Sequence, residues 1–292
     1  MKKFFSFTII LILTSSLFWA QDLKFSIAPK FSFTYGEITE LLYTADGKVL
    51  NSELNWEQKP LFDIGLEAKA EIKNILLSAD FDFSVPIGTS YMYDSDWDDG
   101  EKWSFTKHPI EVSQNLNAQG SLGYRFEATS KISVIPQFQF HYMYSAFEAG
   151  NGSGTRYGRE IKTYGIDYSR HTFMILVGSM AEAQLTQNFS IGAGFFTAPW
   201  IYQHGFDYHH GVDNPYYTID TQTDHFSKFK ASLSAEYDVD SIFSIGFFSD
   251  AIFGYADKGE IEYDEIMSLY RSNQSGANIK RIQTGILLQF SF

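Results

Sequence analysis

Two short polar motifs carry the residue types needed to activate water: Asp94-Ser95-Asp96-Trp97 and Asp207-Tyr208-His209. Asp207 and His209 stand two apart, so on an extended segment they share a face, and the carboxylate can orient the imidazole or stabilise its charged form. An imidazole backed in this way is a general base suited to near-neutral pH. Two carboxylates from one segment and an Asp/His couple from another are the parts required to hold and deprotonate a water, which points to a hydrolase. Three other readings compete. Asp94 and Asp96 also fit a solvated acidic turn. Asp94, Asp96 and Asp98 mimic the start of a calcium loop, but the turn glycine, Gly100, is one place late and Phe105 stands where the loop needs Glu. His204, His209 and His210 with a carboxylate could instead hold a metal.

The elements that must position these residues are strands. From Leu23 to Tyr35 the odd positions are Leu, Phe, Ile, Pro, Phe, Phe and Tyr, while the even ones are Lys, Ser, Ala, Lys, Ser and Thr. Period two over this length is a strand with one apolar face. The pattern returns from Leu54 to Ile72, from Ile75 to Val85, and near Val112 to Phe126, Lys131 to Tyr144, Thr163 to Ala183, Phe189 to Tyr202, Phe226 to Val239, Ile242 to Tyr255 and Asn278 to Phe292. In the Thr163 to Ala183 run the apolar phase shifts between Tyr168 and Phe173, as a bulge would cause. These ten strands are joined alternately by short turns, such as Lys73-Asn74 and Asp240, and by long polar segments: Gly36 to Glu53, Pro86 to Glu111, Ser145 to Ile161, Gln203 to His225 and Ala256 to Ala277. Short turns on one rim and long loops on the other describe an all-β fold, a ten-stranded antiparallel transmembrane β-barrel with long extracellular loops. The 17% aromatic content, with 28 Phe and 18 Tyr, suits aromatic girdles at the membrane interfaces.

The start of the chain agrees with this. Lys2 and Lys3, the apolar run Phe4 to Leu13 and the small residues up to Ala20 form a secretory signal peptide over residues 1–20, leaving 21–292 as one barrel domain exported to the bacterial outer membrane. The chain has no Cys, which excludes disulfides, thiolate metal sites and a lipidated cysteine. Its net charge of -13 becomes -15 without Lys2 and Lys3, which disfavours nucleic acid and favours basic partners. Phe290-Ser291-Phe292 resembles the terminal aromatic signal read by the bacterial barrel-assembly machinery. With Leu23 on the periplasmic side, all five long loops face outward, and both motifs with them.

Set in this frame, the residues resemble a family. The blocks Ser52 to Trp56, Tyr93 to Trp97, Lys107-His108-Pro109, Asp207 to His209 and Gly276 to Phe292 are similar to those of the omptins, outer-membrane endopeptidases built on a ten-stranded barrel, over nearly the whole mature length. The resemblance implies that Asp94, Asp96, Asp207 and His209 are catalytic, with a water as nucleophile. His209, oriented by Asp207, would take its proton, opposite an Asp94/Asp96 pair whose carboxylates perturb one another. It also implies peptide or protein substrates cut beside basic residues, with Glu40 as a substrate-binding acid.

Two positions depart from the family. Gly205 stands where a second pocket acid is expected, and Phe105 where a further one often precedes the His-Pro pair, so a basic residue is expected before the scissile bond but not after it. The family's lipopolysaccharide patch includes basic side chains on the fifth strand. Here that stretch is Phe140-His141-Tyr142-Met143-Tyr144, with Arg170 as the remaining candidate, so the expectation is a protein that needs no cofactor and works in outer-membrane lipid without lipopolysaccharide. The alternative is a non-enzymatic barrel, an adhesin or a small porin, in which the inward charges Lys30, Glu57, Lys59, Glu67, Lys69, Asp80 and Asp82 line or plug the lumen.

Overall fold

A computed structural model describes residues 23–292 except 45, 211–214, 255–257 and 264–269. The expected leader over residues 1–20 lies outside the described residues. Ten antiparallel strands form a ring. They are Leu23–Tyr43, Leu50–Ile72, Ile75–Pro86 continued by Ser90–Asp98, Glu101–Tyr124, Ile132–Ala149, Ile166–Gln184, Phe189–His209, Tyr216–Asp224 continued by Lys228–Asp238, Phe243–Gly254 resumed at Gly259–Tyr263, and Tyr270–Ser291. The tenth strand pairs with the first from Ser26↔Ser291 to Leu42↔Ser275, so the ring closes. Closure leaves no open edge and satisfies the backbone within the sheet, as a strand structure in lipid requires. Among the described residues there is no helix.

Residue chemistry sets which face turns outward. In the first strand Phe25, Phe31, Phe33 and Tyr35 are exposed on the wall while Ser26, Lys30, Ser32 and Thr34 are buried inside. Ile64, Leu66, Phe81, Phe83, Phe138 and Phe195 continue this greasy belt around the ring. The lower lumen is filled by polar contacts. Lys30 reaches Asp80 and Asp82, Arg125 pairs with Glu182, and Asp63 accepts from Ser32, Thr34, Ser84 and Gln283.

About 9–11 residues of tilted strand cross a bilayer, yet the second strand has 23 and the fourth 24. The surplus stands clear of the membrane, and there the pattern inverts. Trp56, Met92, Phe147, Tyr168 and Ile279 point inward and pack into one apolar cluster, with Trp56 stacked on Tyr168 at 4.9 Å. This cluster fills the barrel between a polar chamber of about 630 Å³ below and an open cleft above.

The inversion corrects several expectations. The phase shift in the sixth strand is not a bulge between Tyr168 and Phe173. Every second residue from Ile166 to Leu176 faces in without a break, Met174 and Leu176 staying apolar inside, and what changes is the outer face, polar at Asp167, Ser169 and His171 and apolar from Phe173 as the strand enters lipid. The register break lies lower, where Ile175 pairs with Trp200 but Val177 pairs with Thr197. In the second strand a register break near Gln58 to Leu61 does flip the phase, so Glu57 and Lys59 sit on the outer wall, paired at 2.7 Å, and not in the lumen. The expected second loop is mostly strand, turning tightly at Asp99 and Gly100, both with positive φ. The third folds into a hairpin, Gly152–Arg156 and Arg159–Thr163, whose first arm pairs with Ser104 to Lys107 of the fourth strand. Arg170, expected near the outer wall, is buried inside the barrel.

Candidate active site

Asp94 and Asp96 lie on the upper third strand, paired with Leu54 and Ser52 on one side and with Thr106 and Ser104 on the other. Asp207 and His209 end the seventh strand, paired with Thr218 and Tyr216. Both motifs are therefore on strands and not in loops, and the two-residue spacing places each pair on the inward face. Asp94, Asp96, Asp207, His209 and Glu40 all line one cleft of about 510 Å³ that opens at the extracellular rim.

The site's electrostatics come from burial and from crowding of like charge. Burial and then the Asp96 carboxylate push the Asp94 carboxyl up to about 7. Burial raises Asp207 to about 6, a hydrogen bond from Glu40 pulling against it, and Thr218 donates to Asp207 Oδ2 at 3.0 Å. Burial and then the Asp207 carboxylate hold Glu40 well above the usual range, so Glu40 keeps its proton and donates it to Asp207. Glu40 Oε2 and Asp207 Oδ1 are sealed oxygens that no neighbouring side chain reaches with a donor. Burial, and secondarily His210, lower His209 to about 4, so its ring is neutral and able to accept a proton.

Asp207 and His209 share the cleft face, and each is held by a different neighbour. Asp207 is engaged by Thr218 and Glu40, while the His209 ring lies flat on Tyr216, with centroids 4.3 Å apart. Burial, then Tyr263 and after it the Asp207, Asp94 and Asp96 carboxyls, raise the Tyr216 phenol to about 12. It is thus a neutral hydroxyl standing between the two pairs. His204 is turned to the outer wall, bonded to Thr221, and His210 pairs with Asp167 at 2.8 Å, so the three histidines considered for a metal diverge. The acidic segment Asp94 to Asp98 is straight strand and lacks the coil of a calcium loop.

Sequence reasoning missed Tyr216, His108 and Arg156. His108 is buried in the cleft wall, its Nδ1–H donating to the Gly150 carbonyl at 2.9 Å and its Nε2 accepting from Thr106 and Thr163. Its ring lies against Gly152, where an added Cβ would meet it at 2.6 Å, so the hairpin can dock there only with glycine at that position. Arg156 on that hairpin reaches the cleft beside Asp94. Phe105 is turned to the outer wall, stacked on Tyr93, and the inward neighbour that faces the cleft side is Ser104.

Glu40 is in the cleft as expected, while Gly205 lies in a row with Arg170 on the sixth strand and Asp220 on the eighth. A Cβ at Gly205 would meet Asp220 Oδ1 at 1.9 Å and the Arg170 guanidinium at 2.6 Å. Asp220 and Arg170, joined at 2.5 Å, occupy the space that a side chain at 205 would fill.

Residues 21–292 match the sequence profile described as Omptin family. In structure the chain is similar to the outer membrane protease OmpT of Escherichia coli, with a TM-score of 0.83 at 15% identity, covering 94% of this chain and 97% of that one. It also aligns, with TM-scores of only 0.30 and 8% identity, with the toluene transporter TodX of Pseudomonas putida, over 94% of this chain and 90% of that one, and with the translocator domain of the autotransporter NalP of Neisseria meningitidis, over 96% and 95%. A search of curated proteins by sequence gives no match.

Proposed function

The chain belongs to the omptin family of the bacterial outer membrane, and from that premise we propose that it is an aspartic-type endopeptidase whose nucleophile is a water held in the extracellular cleft. The observation that carries this reading is the meeting of Asp94/Asp96 and Asp207/His209 on opposite walls of one cleft. A peptide lying along the cleft presents its carbonyl between them. His209, neutral because burial holds it near 4, takes a proton from the water as its oxygen bonds to the carbonyl carbon. Ionised Asp207 stabilises the imidazolium as it forms. Asp94, which keeps its proton up to about 7, donates to the carbonyl oxygen, while Asp96 orients the water. The C–N bond then breaks, and the proton on His209 passes to the leaving amine.

Tyr216 fixes the plane of the His209 ring by stacking. Replacing His209 or Asp94 by Ala removes cleavage of a peptide library by the refolded barrel while heat-modifiable folding is retained; full activity in both variants would end the proposal. No cofactor enters these steps. Independence from lipopolysaccharide is part of the same proposal, supported by an outer wall that carries Phe140, Tyr142, Tyr144 and His171 where a phosphate site needs cations, with Arg170 inside the barrel. A purified protein that stayed inert until lipopolysaccharide was added would contradict it.

A further inference from the structure

Beneath the cleft, beside Asp207, the protein holds a guanidinium of its own. Arg170 is 1% exposed and spends its donors on three partners: Nη2 on Asp220 at 2.5 Å, Nη1 on Gln222 Oε1 at 2.8 Å, and Nε on the Tyr168 hydroxyl. Gln222 in turn donates to Ser275 at 3.0 Å, and Ser275 lines the cleft. A carboxylate, an amide and a phenol around a planar cation are what a pocket for an arginine side chain would offer. Here that pocket is filled from within, and Gly205 is what leaves room for the filling.

The part of the cleft above this pair is bounded by Glu40, Leu41, Leu42, Thr218 and Ile261. A peptide with its scissile carbonyl between the two motif pairs places one flanking side chain there. We propose that Arg170, paired with Asp220, is a built-in occupant of the acidic floor, so that this subsite takes an uncharged, aliphatic side chain and excludes lysine and arginine. An incoming cation would find Asp220 already paired, Asp207 already bonded to Thr218 and Glu40, and the like charge of Arg170 behind them. An aliphatic side chain would find Leu42, which shares the inward face with Glu40, and Ile261. This assignment rests on the peptidase proposal and departs from the basic preference that the resemblance implies for Glu40.

The test is a randomised peptide library digested by the refolded full barrel, with cut sites read by mass spectrometry. For the wild type, aliphatic residues are enriched and Lys and Arg depleted by at least roughly tenfold at the subsite beside Asp207. Arg170→Met frees Asp220 and raises cleavage at Lys and Arg by at least roughly tenfold. The charge-balanced pair Arg170→Met with Asp220→Asn keeps the wild-type profile, which separates the lost cation from lost packing. A wild type that selects Lys or Arg, or an Arg170→Met profile unchanged from wild type, overturns the assignment. Should a poorly folded Arg170→Met give no profile, the wild-type profile decides alone. A wild type that cuts no peptide at all removes the peptidase proposal first, and this one with it.

Discussion

Asp94→Asn keeps the shape of the side chain and removes its charge, and it should make the protein more stable as it makes it inactive. Burial and the Asp96 carboxylate move the Asp94 carboxyl from 3.8 to about 7. At about 1.36 kcal/mol per pH unit this amounts to roughly 4 kcal/mol, an upper figure because local relaxation and water entry reduce it. Below pH 3.8 the carboxyl is protonated in the folded and unfolded chains alike, and no penalty exists. Between 3.8 and 7 the unfolded chain has lost its proton and the folded protein has not, so stability falls as pH rises; above 7 the folded protein carries the unfavourable charge and the loss is complete. Asn does not titrate, so the stability gap between variant and wild type widens from pH 5 to pH 8. The assay is thermal unfolding of the refolded barrel in detergent, scored by loss of the heat-modifiable folded band at both pH values, beside peptide cleavage. Cleavage should fall by about 10²-fold or more, the contribution typical of a positioned acid or base. Parallel pH dependences of stability, or a variant retaining more than about a tenth of wild-type cleavage, would refute the assignment.

The pH profile of kcat/KM should be bell-shaped, with an acid limb near 6 from ionisation of Asp207 and an alkaline limb near 7 from loss of the Asp94 proton, His209 being neutral throughout. Because Glu40 donates to Asp207, Glu40→Ala moves the acid limb upward whereas Glu40→Gln, which can still donate, leaves it near the wild-type position; identical limbs in the two variants would contradict that bond. Trp56→Ala removes the stacked centre of the upper apolar cluster and costs roughly 3–5 kcal/mol, with Trp56→Phe milder, as read by the melting of the folded band. Gly205→Asp drives its Cβ into Asp220 and should expose the outer strands to limited proteolysis, while adding Asp220→Gly should restore resistance.

How much of this was legible follows from where each signal is local. The barrel is legible because lipid enforces strict alternation: Phe31 and Phe33 face out and Ser32 and Thr34 face in, with no compromise available. Above the membrane that constraint ends. Ile166 and Tyr168 turn inward to form a core of the kind found in soluble proteins, and the same strand then reads as two opposed patterns. For this reason the upper halves of the strands look like loops in the sequence, and the motifs they carry look mobile when they are held in register by Leu54, Thr106 and Tyr216.

The placement of the two motif pairs was legible for a similar reason, and the row beneath them was not. Asp94 with Asp96, and Asp207 with His209, are each two apart on one strand, so spacing alone puts each pair on one face. Arg170, Gly205 and Asp220 are neighbours only through the register of three strands, and nothing local to any of them reveals the others. Taken alone, Gly205 reads as a lost acid. In the sheet it is the gap through which the next strand supplies one, already neutralised by Arg170. A substitution that changes charge in such a row acts on whichever neighbour loses its partner, so the specificity of this cleft has to be sought in the Arg170–Asp220 pair as a unit and not at position 205 by itself.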